Sequence, residues 1–224
     1  MAAPLIAEPG AIPDLRFSVE GAEPLTRAAV PTVALQLAVE RRAGAAVRSA
    51  TVGVRVDIAP ARRAYDAATE ERLADLFGTP DQWGTTLRAI GWSRATVLVG
   101  PFADRTTVEL ALACSYDFEV AAAKYLDALR DGEIPLDLMF SGSVLYDAGG
   151  RVQAAPIPWD REATYRLPAR VVRTAMEAVF GDSAWLRLPR DTFDRLSAYR
   201  ARGAHTSWEA AIDSLLGEGR PWTR

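Results

Sequence analysis

The chain has 224 residues, of which 49% are hydrophobic and 25% are charged, and its net charge is −3. This composition is typical of a soluble globular protein that buries a core without disulfides or structural metals. The small net charge excludes a general attraction to nucleic acids or anionic membranes. The single cysteine, Cys114, excludes an internal disulfide and predicts a reducing, cytoplasmic environment.

Alternating apolar and polar residues predict the first strands. The pattern begins at Leu15–Val19 and recurs twice within Thr32–Ile58, on either side of Gly44. Successive side chains of a strand point to opposite faces, so each run presents one apolar face. We predict that the two runs within Thr32–Ile58 pair as an antiparallel hairpin with one face on a core.

A helical period follows over Asp66–Phe77. Its apolar residues share one helical face, Asp66 or Thr69 is suited to cap the start, and Gly78 is suited to end it. The next segment, Thr79–Trp92, is rich in glycine and tryptophan, and we predict a packed loop there.

Further strands are predicted at Thr96–Val99 and Thr107–Cys114, with Cys114 on the inward face. Glu119–Leu129 has a helical pattern, although a strand continuing through Val120 is a competing interpretation. Leu136–Tyr146 predicts a long strand that is bent or bulged at Gly142.

The remaining pattern first returns to a strand and then becomes helical. Asp147–Gly150 predicts a hairpin turn that leads into a strand at Val152–Ala155, and Pro156 and Pro158 interrupt the alternation. Pro168 suits the first turn of a helix that ends at Gly181. Three shorter elements are then predicted, at Trp185–Leu188, Asp191–Arg202 and Ser207–Leu216.

These elements predict an α+β fold with an antiparallel β-sandwich body, inserted helices and a C-terminal helical cap. The expected organisation has four parts: a flexible tail over 1–13, the sandwich over 14–166, the cap over 167–217 and a second tail over 218–224. No run of apolar residues is long enough to cross a bilayer, so membrane insertion is not expected.

The sequence offers no recognisable catalytic constellation. His205, the sole histidine, precedes Ser207 in a polar segment, and we expect it in a solvent-exposed turn rather than in catalysis. We expect Cys114 to be a buried structural thiol. One histidine and one cysteine are too few ligands for a transition-metal site. Glu70, Glu71 and Asp75 fit the solvated face of a helix. No cofactor or metal is expected.

Tryptophans near the ends of predicted elements are the candidate partner-binding residues. Tryptophan is common at interface hot spots, and it also plugs the ends of sandwiches, so both interpretations remain open. The candidates are Trp83, Trp92, Trp159 and Trp185, together with Arg187.

Two stretches carry a family resemblance. They are Tyr116–Leu126 and Leu186–Phe193, with Phe140-Ser141-Gly142 between them. They resemble an uncharacterised actinobacterial family known only as a domain of unknown function, in the same order over Leu15 to Leu216. The genes of that family often lie near uptake [NiFe]-hydrogenase clusters. The resemblance therefore implies an accessory role in making or assembling a hydrogenase, and it supplies no catalytic residues.

A second, local resemblance concerns the C-terminal segment. Trp185–Leu188 followed by two helices is similar to a ribbon-helix-helix module, in which paired strands enter the DNA major groove. Leu186 and Leu188 would face inward, and Trp185 and Arg187 would face outward. A single outward arginine and an outward tryptophan offer few of the bidentate donors that read bases.

We therefore expect a non-enzymatic protein-binding accessory or scaffold protein, with hydrogenase subunits or maturation factors as its candidate partners. One alternative is a DNA-binding regulator that uses the ribbon-helix-helix-like segment. The other alternative is an enzyme with an unrecognised site built from Asp and Arg residues.

Overall fold

A computed structural model describes residues 12–114, 120–181 and 188–218. The chain divides into two compact units, with the division between positions 182 and 183. The first unit holds all the strands and four α-helices of the described residues, and the second holds two helices. The predicted strand at Trp185–Leu188 lies outside the described residues except for Leu188, as do most of the predicted tails over 1–13 and 218–224.

Runs of two or three strands are separated by helices along the chain, and three helices follow the last strand. The strands are β1 (Asp14–Pro24), β2 (Thr32–Ala43), β3 (Val47–Ile58), β4 (Ile90–Val99), β5 (Arg105–Ala113), β6 (Glu133–Ala148), β7 (Arg151–Pro156) and β8 (Glu162–Pro168). The helices are α1 (Ala67–Phe77), α2 (Trp83–Thr86), α3 (Val120–Ala128), α4 (Ala169–Phe180), α5 (Arg190–Arg202) and α6 (Trp208–Glu218).

The strands form two antiparallel sheets, which confirms the predicted α+β sandwich. One sheet has the order β1-β2-β5, and the other has the order β4-β3-β6-β7, with β8 also paired to β6. The edges of the two sheets approach each other at β4 and β5 and again at β1 and β8. Across the core, the rings of Phe17 on β1 and Phe140 on β6 stack with centroids 4.2 Å apart.

The predicted hairpin of Thr32–Ile58 is wrong in its pairing. β2 pairs with β1 and β5, whereas β3 pairs with β4 and β6 in the other sheet. The predicted apolar faces are buried, as at Leu35 and Val54, but β2 buries most of its opposite face as well. The chain crosses between sheets after Gly44, whose φ is +84° and whose added Cβ would collide with the carbonyl of Ile12. Two amphipathic strands can share a core either side by side or face to face, and alternation alone does not distinguish these arrangements.

The long strand β6 is the spine of the five-stranded sheet. It runs unbroken past Gly142 along β3, so the predicted bulge is absent from that pair of strands. Gly142 instead has a φ of +128° and marks the point where the neighbour on the other side changes. β7 pairs with Ser143–Ala148, and β8 pairs with Glu133–Met139. β7 and β8 are therefore two halves of one edge, interrupted opposite Gly142.

The helices of the first unit follow their local signals. Asp66 caps α1 by accepting a hydrogen bond from the backbone N–H of Thr69 at 2.7 Å, as predicted. α3 confirms the helical interpretation of the segment that ends at Leu129 over its described residues. The segment before α1 is joined to α3 by a hydrogen bond between the hydroxyls of Tyr65 and Tyr125, 2.7 Å apart. α4 contacts β1 and β2, and its buried face includes Val171, Val172 and Ala175.

Three details differ from the predictions. The predicted loop Thr79–Trp92 contains the short helix α2, and β4 already begins at Ile90. The sequence does not predict β8 (Glu162–Pro168), because the prolines at 156 and 158 end the alternation before it. Pro168 ends β8 and precedes α4 as its N-cap rather than lying within its first turn.

The second unit is a helical hairpin whose packing is aromatic. The rings of Phe193 on α5 and Trp208 on α6 lie with centroids 5.4 Å apart. The guanidinium of Arg200 lies 3.9 Å from the Trp208 ring centroid, a cation–π contact. Ser207 caps α6 by accepting a hydrogen bond from the N–H of Ala210 at 3.1 Å.

Candidate functional site

Trp83 packs within the first unit. Its ring is half-buried and makes edge contacts with the rings of Tyr65 and Phe77, at centroid distances of 5.2 and 6.3 Å. Its indole N–H donates to the carbonyl of Gly78 at 3.0 Å. These contacts hold the segment after α1 against the helix, so the geometry favours the packing interpretation for this candidate.

Trp92 is also a core residue. It is only 4% exposed and lies where β4 has one extra residue, because Asp57 pairs with Gly91 and Val56 pairs with Ser93. Such a bulge redirects a side chain. The indole N–H of Trp92 has no hydrogen-bond acceptor within the described part of the chain. This geometry also favours packing over partner binding.

Trp159 stands apart because it is 91% exposed. It lies in the segment 157–161 that separates β7 from β8, and we call this segment the Trp159 loop. A backbone hydrogen bond from Ile157 N to Gly142 O (2.9 Å) closes one end of the loop. A second bond, from Phe140 N to Arg161 O (2.9 Å), closes the other end. Both ends are therefore fixed to β6.

Side chains hold the Trp159 loop as well. Ile157 is 5% exposed and inserts into the core. The guanidinium of Arg161 pairs with the carboxylate of Asp14 on β1 at 2.7 Å. Arg161 N also donates to Pro158 O at 3.3 Å, which closes a tight turn around Trp159. The loop therefore presents an exposed indole from a fixed backbone.

The outer face of the five-stranded sheet is the second exposed feature. Its exposed apolar side chains are Leu98 on β4, Leu145 on β6 and Val152 on β7, with 79%, 37% and 51% exposure. The rest of this face is mostly small or polar, as at Thr51 and Ser141. We call it the outer sheet face.

A groove on the outer sheet face contains charged residues that the sequence did not single out. Its walls include Arg55, Asp57 and Arg94, and Trp92 also borders it. Arg55 Nε donates a hydrogen bond to Asp57 Oδ1 (3.0 Å), and Arg55 Nη2 forms an ion pair with Asp57 Oδ2 (2.8 Å). This hydrogen bond and the carboxylate charge raise the pKa of Arg55. Alternation placed Arg55 on the outer side of β3, but no local signal identified Arg94 as its neighbour.

Four residues that the sequence analysis singled out remain: Trp185, Arg187, Cys114 and His205. Trp185 and Arg187 lie outside the described residues. Cys114 is buried as predicted, and burial raises the pKa of its thiol to about 12. His205 lies in the turn between α5 and α6, but its ring is half-buried because it stacks on Tyr199 with centroids 5.4 Å apart. The prediction of a solvent-exposed His205 is therefore only partly right.

The acidic cluster on α1 is largely solvated. Glu71 and Asp75 are exposed and Glu70 is half-buried. Asp75 also lies 3.7 Å from the ammonium of Lys124. Within the described ranges, no group of three or more His, Cys, Asp or Glu side chains is arranged to hold a metal ion. None of the helices in those ranges combines the length and the apolar character needed to span a bilayer.

Several solved structures are distantly similar to this chain. The CARDB domain of the PF1109 protein from Pyrococcus furiosus is 12% identical, with a TM-score of 0.28, over 70% of this chain and 92% of that chain. A putative late embryogenesis abundant protein is 13% identical, with a TM-score of 0.31, over 70% of this chain and 73% of that chain. Beta-glucosidase 3B from Thermotoga neapolitana is 9% identical, with a TM-score of 0.26, over 69% of this chain and 17% of that chain.

No curated protein matches the chain significantly in sequence. A family model does match it, over residues 12–222, which include both compact units. That family is described as a family of unknown function, DUF6084, and the chain belongs to it.

Proposed function

We propose that this protein is a non-enzymatic, cytoplasmic accessory protein that binds a partner protein through Trp159. The observation that carries the proposal is the 91% exposure of this side chain on a loop fixed at both ends to β6. An indole left in water on a fixed backbone is available to fill a pocket on another protein.

The energetics support a role for Trp159 as an anchor. Tryptophan buries a large area with only two side-chain torsions, and it is enriched among residues whose truncation costs about 2 kcal/mol or more of binding free energy. The hydrogen bonds of Ile157 and Arg161 already order the loop. Binding therefore loses less conformational entropy than it would with a mobile loop.

The surroundings favour a protein partner over DNA. The exposed side chains of β7 that lead to the Trp159 loop include Val152 and Ala154, and Asp160 follows Trp159 directly. DNA binding uses clustered Lys and Arg to contact phosphates. Apolar side chains with a carboxylate beside them would fit an apolar pocket on a partner protein that has basic residues at its edge.

The identity of the partner rests on the family resemblance. The uncharacterised actinobacterial family that the sequence resembles implies a hydrogenase accessory role. Subunits and maturation factors of an uptake [NiFe]-hydrogenase are therefore the first partners to test.

The experiment keeps Trp159, places a photo-cross-linking amino acid at the exposed position 160 beside it in the native host, and identifies the cross-linked protein. The affinity of that purified partner is then measured for the wild type, Trp159→Ala and Trp159→Phe. We expect Trp159→Ala to weaken binding by about 30-fold, the loss of one hot spot. Trp159→Phe should recover part of that loss.

Leu98→Ala is the matched control, because Leu98 is 79% exposed but lies on β4, the opposite edge of the sheet. It should leave the affinity unchanged. The thermal midpoints of all variants should equal that of the wild type. Equal affinities of Trp159→Ala and wild type, or cross-linking only to DNA, would contradict the proposal.

A further inference from the structure

The groove on the outer sheet face lies over β3 and β4. It has two adjoining parts, of 630 and 390 Å³, and Arg55 and Arg94 line both. Gly53 and Gly91 also line it and contribute only backbone, which leaves space beside the two guanidinium groups. Both parts are open to solvent, so the groove is a surface depression with room for a small anion rather than an enclosed pocket.

The charges around the groove do not balance. Asp57 has only 9% of its side chain exposed, and both of its carboxylate oxygens contact Arg55, one through a hydrogen bond and one through an ion pair. Asp137, the next carboxylate on this face, forms a short ion pair with Arg62. Among the residues that the structure describes, no carboxylate pairs with Arg94. One positive charge therefore remains over the groove.

The register of β3 and β4 places the positive charge of Arg94 next to that of Arg55. Arg55 on β3 is directly opposite Arg94 on β4, and both side chains are on the outer sheet face. Directly opposed side chains have Cβ atoms about 5 Å apart, and like charges at this spacing are destabilising. Asp57 orients the Arg55 guanidinium through Nε and Nη2 and leaves Nη1 able to donate to a ligand. An anion between the two arginines would remove the repulsion.

We infer that this groove binds a small oxyanion, a carboxylate or phosphoryl group, between Arg94 and Arg55. A guanidinium matches both groups because its parallel N–H donors bond two oxygens at once. The hydroxyls of Thr96 and Ser141, which line the second part of the groove, can accept or donate further hydrogen bonds. The site is independent of Trp159, so either proposal can fail without the other.

The test titrates phosphate and citrate separately into the full-length protein at constant ionic strength, with chloride as the reference anion. Binding is followed by calorimetry and by backbone amide NMR shifts. We expect saturable binding of at least one anion, with shifts concentrated at Ser93, Arg94 and Thr96. Binding of phosphate alone assigns a phosphoryl ligand, and binding of citrate alone assigns a carboxylate ligand.

Matched variants distinguish specific anion binding at Arg94 from a nonspecific attraction of anions to positive charge. Arg94→Gln should weaken the affinity about tenfold, the loss of one charge-assisted hydrogen bond. Arg94→Lys keeps the positive charge but lacks the parallel N–H donors of a guanidinium, so its affinity should lie between those of Arg94→Gln and the wild type. Arg151→Gln makes the same change of net charge at an exposed position on β7 and should bind like the wild type. Equal weakening by Arg94→Gln and Arg151→Gln, or no saturable binding of either anion, would overturn the inference.

Discussion

Gly142 occupies a backbone position that side chains do not tolerate. Its φ is +128°, and a Cβ there would lie 2.0 Å from the carbonyl oxygen of Thr51 on β3. The residue lies between the halves of the edge formed by β7 and β8, and its own carbonyl accepts the hydrogen bond from Ile157. A single glycine thus allows β6 to stay paired with β3 while supporting the Trp159 loop.

Gly142→Ala should lower the free energy of unfolding by about 2–4 kcal/mol, because it adds both an unfavourable φ and a backbone clash. Gly100→Ala is the control, since a Cβ at Gly100 meets nothing within 4 Å. Urea denaturation of both variants measures the effect. Equal stability of the two variants would show that β6 can move away from Thr51 at no cost.

Burial of the Cys114 thiol should make the stability of the folded protein depend on pH. Burial raises the pKa of its thiol from the ordinary 9.0 to about 12 in the folded state. Because folding raises this pKa, the folded state favours the neutral thiol. The resulting contribution to stability is complete below pH 9 and is lost as the pH rises from 9 towards 12. We expect Cys114→Ala to show a smaller loss of stability over pH 9–11 than the wild type.

The same burial predicts a slow thiol reaction. A disulfide reagent at pH 8 should modify Cys114 only after unfolding, because attack requires an exposed thiolate. The measurement compares the labelling rate in buffer with the rate in denaturant. Rapid labelling of the folded protein would mean that the strand end at Cys114 opens readily.

At the scale of elements, the inner faces of β2 and β3 form the centre of the core. Leu35 is fully buried and Val54 is 2% exposed, although the two strands belong to different sheets. Their apolar faces therefore meet across the sandwich instead of lying side by side. This arrangement uses the same side chains as the predicted hairpin but gives each strand different partners.

Leu35→Asp and Val54→Asp should each prevent folding, because each places an unpaired charge in the core at a cost of several kcal/mol. Leu98→Asp, on the exposed side of β4, should leave the thermal midpoint nearly unchanged. Circular dichroism melting distinguishes the three variants. A cooperative wild-type transition in either core variant would mean that its side chain reaches water.

At the scale of the whole molecule, the chain has two compact units with separate cores. The first has a large core of aliphatic and aromatic side chains from both sheets, whereas the second joins α5 and α6 through Trp208, Phe193 and Arg200. Units with separate cores commonly open with separate free energies.

Trp208→Ala should therefore unfold the helical hairpin while the sandwich persists. Trp208 is half-buried, so its truncation should cost less than the about 3–5 kcal/mol of a fully buried tryptophan, but a unit of two helices is itself stable by only a few kcal/mol. Amide hydrogen exchange should show loss of protection in α5 and α6 and unchanged protection in β3 and β6. Equal loss of protection in both units would show that they unfold as one.

The sequence by itself determined the local features of this protein. A period of two residues assigns the inner faces of β2 and β3, Asp66 and Gly78 delimit α1, and the position of Cys114 on its strand predicts a buried thiol. Each of these features depends on residues close in the chain, whose spacing directly reflects backbone geometry.

Only the tertiary structure decided which strands are neighbours, and with them the candidate sites. Pairing joins residues far apart in sequence: Arg55 lies opposite Arg94, and Gly142 accepts a hydrogen bond from Ile157 at one end of the Trp159 loop. Alternation is equally satisfied by several pairings, so it could not reveal the arginine pair or the interrupted edge. Trp83, Trp92 and Trp159 likewise differ in exposure because their packing differs: Tyr65 and Phe77 cover part of Trp83, the core buries Trp92, and Trp159 stays in water.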